Sequence, residues 1–290
     1  MSRSIIVAAI LIMATGGALY ARSAAALFDA LVPFDRGVSR ILSDVSYGGD
    51  KRQKLDVYAP DAPTGPLPIL VFFYGGAWND GSKDNYAFAG SAFASRDFVV
   101  VVADYRLHPQ VVFPGFLEDC AAAVAWARAH ADAIGGDADR IVLAGHSAGA
   151  YNAAMLALDP QWLRRAGVPQ ASVRAWAGLS GPYDFLPLDD PATIRTFSHV
   201  QKLALTQPGN FAAKGAPPAF LATGAEDTTV APRHTLELAR RLRAASVAAE
   251  TRQYSGIGHA GLVAALAWPL RWRAPVLEDA VEFLRAAVRK

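Results

Sequence analysis

Short apolar runs without polar–apolar alternation constrain the fold of this chain more than any other feature of its sequence. They are rich in β-branched and aromatic residues, and the middle runs have the pattern of strands that a parallel sheet buries on both faces. We therefore predict strands at these runs. They are Leu55–Tyr58, Ile69–Tyr74, Phe98–Ala103, Ile141–Ala144, Val173–Leu179, Ala219–Thr223 and Ala249–Tyr254.

Stretches of helical character separate or follow these runs. They are Phe116–His130, Ala148–Leu158, Pro232–Ala245 and Pro275–Val288. Strands that alternate with helices predict an α/β fold, a doubly wound, mostly parallel sheet of about seven to eight strands with helices on both faces. The runs at 55–58 and 69–74 precede any predicted helix, so we expect them to form an antiparallel edge.

The domain organisation follows from the length and from the absence of repeats. A chain of 290 residues is long for one small domain and short for two, and no linker interrupts it, so residues 27–290 are expected to form a single domain. The segment 181–215 is longer than an ordinary connection and contains four prolines. It therefore predicts a short lid or a substrate-facing insertion.

Composition and charge exclude several classes of protein. Hydrophobic residues make up 52% of the chain, which excludes a disordered protein. The 28 basic and 26 acidic residues give a net charge of +2 and are scattered, so nucleic acid is not expected as a partner. Because Cys120 is the one cysteine, an intrachain disulfide and a cysteine-based zinc site are excluded.

The first 26 residues have the composition of a targeting segment. The uncharged stretch Ile5–Ala21 lies between Arg3 and Arg22 and is followed by small residues at 24–26, which is typical of an export signal. Its length is slightly below the about 20 residues that cross a bilayer, so an uncleaved membrane anchor or a plain buried helix are alternatives. With a signal peptide or an anchor, the chain is periplasmic, secreted or membrane-bound rather than cytoplasmic.

A Gly-x-Ser-x-Gly motif lies between a predicted buried strand and an alanine-rich helix, at Gly145–Gly149. A serine on such a sharp turn is raised above the sheet edge, and the N–H groups of the following helix can bind an oxyanion. We therefore predict that Ser147 is a nucleophile. The alternative is a glycine-rich turn without chemistry.

A nucleophilic serine needs a base that a third group orients, and in this type of fold an acidic residue and then a histidine follow the serine. Asp227 and His259 lie in loops after two predicted strands, at the edge where a doubly wound sheet presents its ligands. We predict them as acid and base, with Glu226 as the rival of Asp227. The other histidines have different interpretations. His146 is expected to pack beneath the turn, and His108 to be a loop residue. His130 and His234 are interpreted as surface or capping residues of helices, and His199 as a lid residue that could touch the substrate.

The loop after the strand at 69–74 is expected to supply an oxyanion donor, because a serine elbow needs a second N–H group from this position. Gly75 and Gly76 would let the backbone turn its N–H groups towards Ser147 and let a substrate approach. The alternative is that these glycines only turn the chain.

Together these motifs resemble those of the α/β-hydrolase esterases. The likeness is strongest to the acetyl-esterase and hormone-sensitive-lipase-like carboxylesterases and to their relatives, the kynurenine formamidases, and it extends over about residues 45–288. The motifs that carry it are Tyr74–Trp78, Asp104–Pro109, Phe113-Pro114, Gly135–Asp137 and Gly145–Gly149, followed by Asp227 and His259.

The resemblance implies a site with two parts. These are a triad of Ser147, Asp227 and His259, and an oxyanion hole made of the main-chain N–H groups of Gly76, Ala77 and Ala148. The chain departs from the family at Tyr74, where histidine is usual, and at Ala77, where many members have a third glycine. Both changes leave the backbone donors in place and bear on substrate preference. The segment Asp104–Pro109 is interpreted as a scaffold for the loop.

The resemblance and the motifs predict a serine hydrolase that cleaves short-chain carboxylic esters of small molecules through an acyl-enzyme, without a metal or an organic cofactor. Trp78, Phe185 and Phe197 either line the acyl or alcohol pocket or belong to the core beneath the lid. An arylformamidase acting on an amide of the N-formylkynurenine type and an inactive binding protein are alternative functions. The motifs carry no information on the oligomeric state.

Overall fold

The structure is a computed structural model that describes residues 27–29 and 31–289. The signal peptide or anchor predicted over residues 1–26 lies outside the described residues. Within the described part of the chain, no helix has both the length and the apolar composition that crossing a bilayer requires.

An eight-stranded sheet forms the centre of the molecule. Its strands are β1 (Val38–Ser46), β2 (Lys54–Pro60), β3 (Leu67–Phe73), β4 (Val99–Ala103), β5 (Gly136–His146), β6 (Val173–Leu179), β7 (Ala219–Gly224) and β8 (Ala249–Tyr254). They lie in the order β1-β2-β4-β3-β5-β6-β7-β8. From β4 to β8 all pairs are parallel, while β2 is antiparallel to β1 and to β4. The predicted doubly wound, mostly parallel sheet is confirmed.

Helices cover both faces of this sheet. They are α1 (Ala87–Ala94), α2 (Gly115–Ala129), α3 (Ala148–Leu158), α4 (Gln161–Arg165), α5 (Pro191–Phe197), α6 (Arg233–Ala244), α7 (His259–Ala264) and α8 (Val276–Val288). Short 3₁₀ helices occur at Lys83–Tyr86, Asp132–Ile134, Gln170–Ser172, Leu203–Thr206, Pro208–Phe211 and Trp268–Arg273.

The core is divided into two clusters, one on each face of the sheet. Helices α2, α3 and α6 pack on one face, against residues such as Val71 and Val101. Helices α1, α7 and α8 pack on the other face, against their strand neighbours Phe72 and Val102. Because side chains along a strand point alternately to opposite faces, central strands covered on both sides need apolar residues at every position. This explains the unbroken apolar runs.

The helices predicted from the sequence are α2, α3, α6 and α8, each within one residue of its observed ends. Helix α1 is absent from that prediction. All of its residues are buried, so no polar face marks the helical period. Helices α4, α5 and α7 have only five to seven residues, too few for a periodic pattern.

The predicted antiparallel edge names one wrong strand. The prediction pairs residues 55–58 with residues 69–74, but β2 pairs with β1 and β4, and β3 lies in the middle of the sheet between β4 and β5. Strand β1 was not predicted because it is an edge strand with mostly exposed residues. An exposed edge has no need of a continuous apolar run.

The segment 181–215 joins β6 to β7 and contributes no strand to the sheet. It contains α5, which begins where the Asp190 carboxylate accepts the N–H groups of Ala192 and Thr193. Because the segment leaves β6 at its carboxyl end, it lies at the same sheet edge as Ser147, which follows β5.

Candidate active site

Ser147 occupies the turn between β5 and α3 with a φ of 55° and a ψ of −123°. Residues other than glycine rarely adopt this backbone conformation. Close packing around the turn maintains it here. A Cβ atom on Gly149 would lie 2.0 Å from the carbonyl oxygen of Phe73, and one on Gly145 would lie 2.3 Å from the carbonyl oxygen of Gly149. The two glycines therefore allow the strand and the helix to meet at the angle that exposes Ser147.

Asp227 and His259 meet at the carboxyl ends of β7 and β8. Nδ1 of His259 lies 2.8 Å from Oδ2 of Asp227, while the rival carboxylate of Glu226 belongs to an exposed residue. Oδ1 of Asp227 accepts the N–H groups of Thr229 at 3.0 Å and Val230 at 2.9 Å. Since a carboxylate only accepts hydrogen bonds, Nδ1 of His259 carries a proton and Nε2 of the neutral ring is left as a base.

The electrostatics of Asp227 favour its charged form. Burial alone would raise the pKa of this carboxyl, but the hydrogen bond and charge interaction with His259, together with the N–H group of Val230, hold the pKa below its ordinary value. The ionised carboxylate thus fixes the orientation of the His259 ring.

His146, the residue that precedes Ser147, packs against His259. The rings of His146 and His259 lie 4.8 Å apart between centroids, and His146 directly precedes Ser147. His146 is buried, in agreement with its interpretation as a residue packed beneath the turn. Burial, assisted by the nearby His259, lowers the pKa of His146 to about 3, so this ring is neutral at ordinary pH.

The loop after β3 runs directly beside the serine. A Cβ atom on Gly75 would lie 2.8 Å from Cβ of Ser147, so the loop approaches this closely only with glycine. Ala77, which follows Gly76, lines the same cavity as Ser147 and Ala148. Ala148 is the first residue of α3, and the first amides of a helix have no carbonyl partner within it. Residues of the loop and the first residue of α3 thus line one cavity together with Ser147.

Tyr74 replaces the family's usual histidine and is fully buried. Its ring stacks on Tyr105 with 4.7 Å between centroids, and the Tyr105 hydroxyl donates to the carbonyl oxygen of Tyr74 at 2.8 Å. The N–H group of His108 donates to the carbonyl oxygen of Trp78, also at 2.8 Å. The segment Asp104–Pro109 therefore acts as a scaffold, because both of these hydrogen bonds hold main-chain oxygens of the loop.

A cavity of about 510 Å³ opens beside Ser147. The segment 181–215 supplies much of its wall, from Pro182 to Thr193, and Trp78 and Phe185 are part of the lining. Phe197 is fully buried and packs against the Trp78 and Phe185 rings, with centroid distances of 4.9 and 5.1 Å. Of the three predicted aromatic residues, two therefore line the cavity and Phe197 supports them from behind.

Sequence reasoning missed a group of lining residues beside Asp227, namely Thr228, Thr229, Val230, Ala231, Arg233 and His234. His234, interpreted as a surface or capping residue, is in fact buried, and its Nδ1 accepts the N–H group of Asp184 at 3.3 Å. The available signal was position, because Thr228 to Ala231 follow the predicted acid in the same loop, and Arg233 and His234 begin the next helix, α6.

The other histidines lie away from the Asp227–His259 pair. His130 stacks on Trp126 with ring centroids 4.2 Å apart, and Nε2 of His199 donates to the carbonyl oxygen of Phe113 at 2.8 Å. Across residues 27–29 and 31–289, no group of three or more histidine, cysteine or acidic side chains is arranged to hold a metal ion.

Comparison with known proteins relates the chain to esterases. Its sequence matches the model of the BD-FAE family over residues 55–242. Esterase LipC of Mycobacterium tuberculosis is 33% identical over 223 residues, which cover 70% of this chain and 55% of LipC. The isoprenylcysteine alpha-carbonyl methylesterase ICME of Arabidopsis thaliana is 29% identical over 270 residues, which cover 85% of this chain and 62% of ICME. The chain thus spans less than two thirds of either relative.

Solved structures share the fold over nearly the whole chain. Esterase B from Lactobacillus rhamnosis, inhibited by a tributyrin phosphonate, matches with a TM-score of 0.80 and 20% identity over 100% of this chain and 97% of that chain. A propionate-bound esterase from Thermogutta terrifontis matches with a TM-score of 0.70 and 24% identity over 87% and 94% of the two chains. This chain therefore has the α/β-hydrolase fold and, since the family model covers more than half of it, belongs to the BD-FAE family.

Proposed function

We propose that this chain is a carboxylesterase that cleaves short-chain carboxylic esters through a Ser147–His259–Asp227 triad and an acyl-enzyme intermediate. The observation that carries the proposal is the 2.8 Å hydrogen bond between His259 and Asp227 beside the strained turn that exposes Ser147. The names of LipC and ICME, both esterases, support ester hydrolysis as the reaction.

In the proposed mechanism Oγ of Ser147 attacks the ester carbonyl carbon while Nε2 of His259 takes its proton. Asp227 stabilises the imidazolium that forms. The tetrahedral intermediate collapses as the same proton passes to the leaving alcohol, and the acyl group remains on Ser147. Water then attacks this acyl-enzyme with His259 again as the base, which releases the carboxylic acid and restores Ser147.

The negative charge of the intermediate requires N–H donors at the carbonyl oxygen. We assign this role to Gly76, Ala77 and Ala148, because the loop after β3 and the start of α3 converge beside Ser147. Backbone donors need no reorganisation during the reaction, and a single donor of this kind lowers the barrier by about 3–4 kcal/mol.

The preference for short acyl groups is supported by the cavity wall. Trp78 lines the cavity, and Phe197 packs edge-on against it from the core, so a ring that is held from behind forms part of the wall. We expect such a fixed ring to obstruct a long acyl chain more than a short one. The propionate in the Thermogutta terrifontis esterase is a short carboxylate of this kind, in that protein.

The test is release of p-nitrophenol from acetate, butyrate and octanoate esters by the wild type, Ser147→Ala and His259→Ala. We expect turnover to fall with chain length and to drop on the order of 10⁴-fold or more in both variants. His199→Ala is the matched control, because His199 is exposed and bonds only a backbone carbonyl among its described contacts. Ester turnover that survives Ser147→Ala would contradict the proposal.

N-formylkynurenine serves as the competing substrate in the same assay. Formamide and ester hydrolysis pass through the same tetrahedral geometry, so the triad alone does not separate them. Cleavage of N-formylkynurenine without ester turnover would replace the carboxylesterase by an arylformamidase. No turnover of any of these substrates would favour a binding protein.

We also propose that residues 1–26 direct the chain out of the cytoplasm, either as a cleaved signal peptide or as a membrane anchor. The proposal is supported by the apolar stretch Ile5–Ala21 behind a positively charged start.

A further inference from the structure

A continuous chain of hydrogen bonds runs behind the serine from the loop after β3 to the start of α7. The N–H group of Gly75 donates to the hydroxyl oxygen of Tyr86 at 3.3 Å. That hydroxyl lies 3.2 Å from Nδ1 of His146, and Nε2 of His146 lies 3.2 Å from the carbonyl oxygen of His259. Two side chains thus connect the backbones of two loops that are far apart in the sequence.

The donor and the acceptor of each of these three hydrogen bonds follow from the groups at the two ends of the series. The carbonyl oxygen of His259 can only accept, so Nε2 of His146 carries a hydrogen. Because burial keeps His146 neutral, its Nδ1 is then an acceptor, and the Tyr86 hydroxyl must donate to it. The oxygen of Tyr86 is left to accept from Gly75. Each group therefore has one role, and reversing any bond would leave two donors or two acceptors facing each other.

We propose that Tyr86 and His146 form a positioning relay that holds the oxyanion loop and the base His259 in register with Ser147. This inference rests on the proposed function. One end of the relay fixes Gly75, the residue before the assigned donors Gly76 and Ala77. The other end fixes the main chain of His259.

Packing makes the relay rigid. The Tyr86 ring stacks on Phe88 with 5.7 Å between centroids and lies 5.9 Å from the Tyr74 ring. His146 is buried and also packs its ring against His259, 4.8 Å away. A side chain held by such ring contacts can transmit a displacement at one end to the other, whereas an unsupported one would absorb it. Tyr86 and His146 are positioning residues, because neither needs to contact the substrate.

The relay predicts a loss of turnover rather than of binding. Without it, the oxyanion donors and the base lose alignment with the reacting atoms, and small misalignments of catalytic groups reduce rates on the order of 10- to 100-fold. We expect Tyr86→Phe and His146→Leu each to lower kcat for p-nitrophenyl acetate by about this factor, with KM within about twofold of the wild type. The pH profile of kcat should keep its midpoint, because no relay group titrates in the assay range.

The choice of substitution at His146 separates positioning from packing. His146→Gln retains an N–H donor for the carbonyl oxygen of His259, whereas His146→Leu fills the buried site with apolar atoms only. A relay predicts that the glutamine variant has the higher kcat. A residue that only packs predicts the opposite order, since leucine suits a buried site better.

A double variant tests whether the two residues act as one unit. Tyr86→Phe combined with His146→Leu should be no slower than His146→Leu alone, because the relay is already broken. Tyr58→Phe is the control, since Tyr58 is a buried tyrosine outside the relay whose hydroxyl lies near Asp56 in β2. Its kcat should equal that of the wild type.

The outcomes are separable from the fate of the proposed function. If the wild type does not hydrolyse esters in a Ser147-dependent way, the carboxylesterase proposal fails. If the wild type does hydrolyse esters in this way, any one of three results overturns the relay alone. These are a wild-type kcat for Tyr86→Phe, a higher kcat for His146→Leu than for His146→Gln, or losses in the double variant that multiply. Should His146→Leu fail to fold, Tyr86→Phe still decides, because it removes one oxygen atom and keeps the ring.

Discussion

Ser147 holds a strained backbone conformation that its surroundings maintain. A residue with this φ and ψ costs about 1–3 kcal/mol, and the turn persists because its neighbours over-determine it. The N–H group of Ser147 donates to the carbonyl oxygen of Leu179 at 2.8 Å, which ties the turn to the adjacent strand β6. At the scale of single residues, the conformation that exposes the Ser147 hydroxyl to the cavity therefore lowers the stability of the fold.

This strain predicts a difference in stability between two inactive variants. Ser147→Gly should be more stable than Ser147→Ala by about 1 kcal/mol, because glycine adopts a positive φ without a steric cost. Urea denaturation of both variants measures the difference. Equal midpoints would mean that the turn is not strained.

Asp227 predicts a pH dependence of stability. A carboxyl whose pKa is lowered by folding stabilises the protein above the unfolded pKa of about 3.9, and this stabilisation is lost as the pH falls through the lower folded value. Asp227→Asn should remove this part of the acid-induced loss. The free energy of unfolding of both proteins, measured between neutral pH and about pH 3, gives the comparison.

The same variant should lose activity on the order of 10⁴-fold, because the amide favours the wrong tautomer of His259. Glu226→Gln is the control, since Glu226 is exposed and should leave kcat unchanged. A larger loss for Glu226→Gln than for Asp227→Asn would reverse the assignment of the acid.

At the scale of elements, a buried lysine joins the sheet edge to the segment behind the site. Nζ of Lys83 lies 2.8 Å from Asp44 of β1, 2.9 Å from Asp56 of β2 and 2.8 Å from Asp84. Burial would lower the pKa of Lys83, but these three carboxylates raise it above its ordinary value. The charged lysine thus links β1 and β2 to the 3₁₀ helix Lys83–Tyr86.

Lys83→Met should destabilise the protein by about 3 kcal/mol, because it leaves the fully buried carboxylate of Asp56 without its lysine. Thermal or urea unfolding measures this loss. Lys51→Met, at an exposed position between β1 and β2, should change stability by less than about 0.5 kcal/mol. A loss at Lys83 no greater than at Lys51 would mean that the buried cluster contributes nothing.

The elements also show which parts of the structure can be predicted from sequence patterns. The central strands follow from their unbroken apolar runs, and helices α2, α6 and α8 from hydrophobic periodicity. Helix α3 is buried all round and follows instead from its place after the Gly-x-Ser-x-Gly motif. Strand β1 is too exposed and α1 too deeply buried to produce a periodic pattern. Ser147 was predictable from a local motif, and Asp227 and His259 from their order along the chain, whereas the burial of His234 depends on tertiary packing.

At the scale of the whole molecule, the start of the described chain is anchored to the fold. The Phe28 ring packs edge-on against Phe88 at 5.2 Å, and Oδ1 of Asp29 accepts the N–H group of Phe88 at 3.1 Å. Asp35 forms an ion pair with Arg271 at 2.6 Å. A targeting segment that ends near residue 26 would therefore stop just before the residues that pack into the domain.

The proposed export predicts that residues 1–26, fused to alkaline phosphatase in a bacterium, give an active enzyme. Alkaline phosphatase needs disulfides, which form outside the cytoplasm. Ile10→Arg combined with Leu11→Arg should abolish the activity, because charges in the apolar centre block membrane insertion. Activity no higher than that of a leaderless fusion would refute export.

Segment 181–215 contributes to the substrate cavity but not to the proposed catalytic residues. Its residues line the cavity, yet it adds no strand, and the proposed triad and oxyanion donors come from other loops. A duplicated gene can therefore exchange this stretch for another and acquire a different ester preference while the sheet and the reaction chemistry are inherited unchanged. Diversification within such a lineage should then concentrate its insertions and substitutions between β6 and β7.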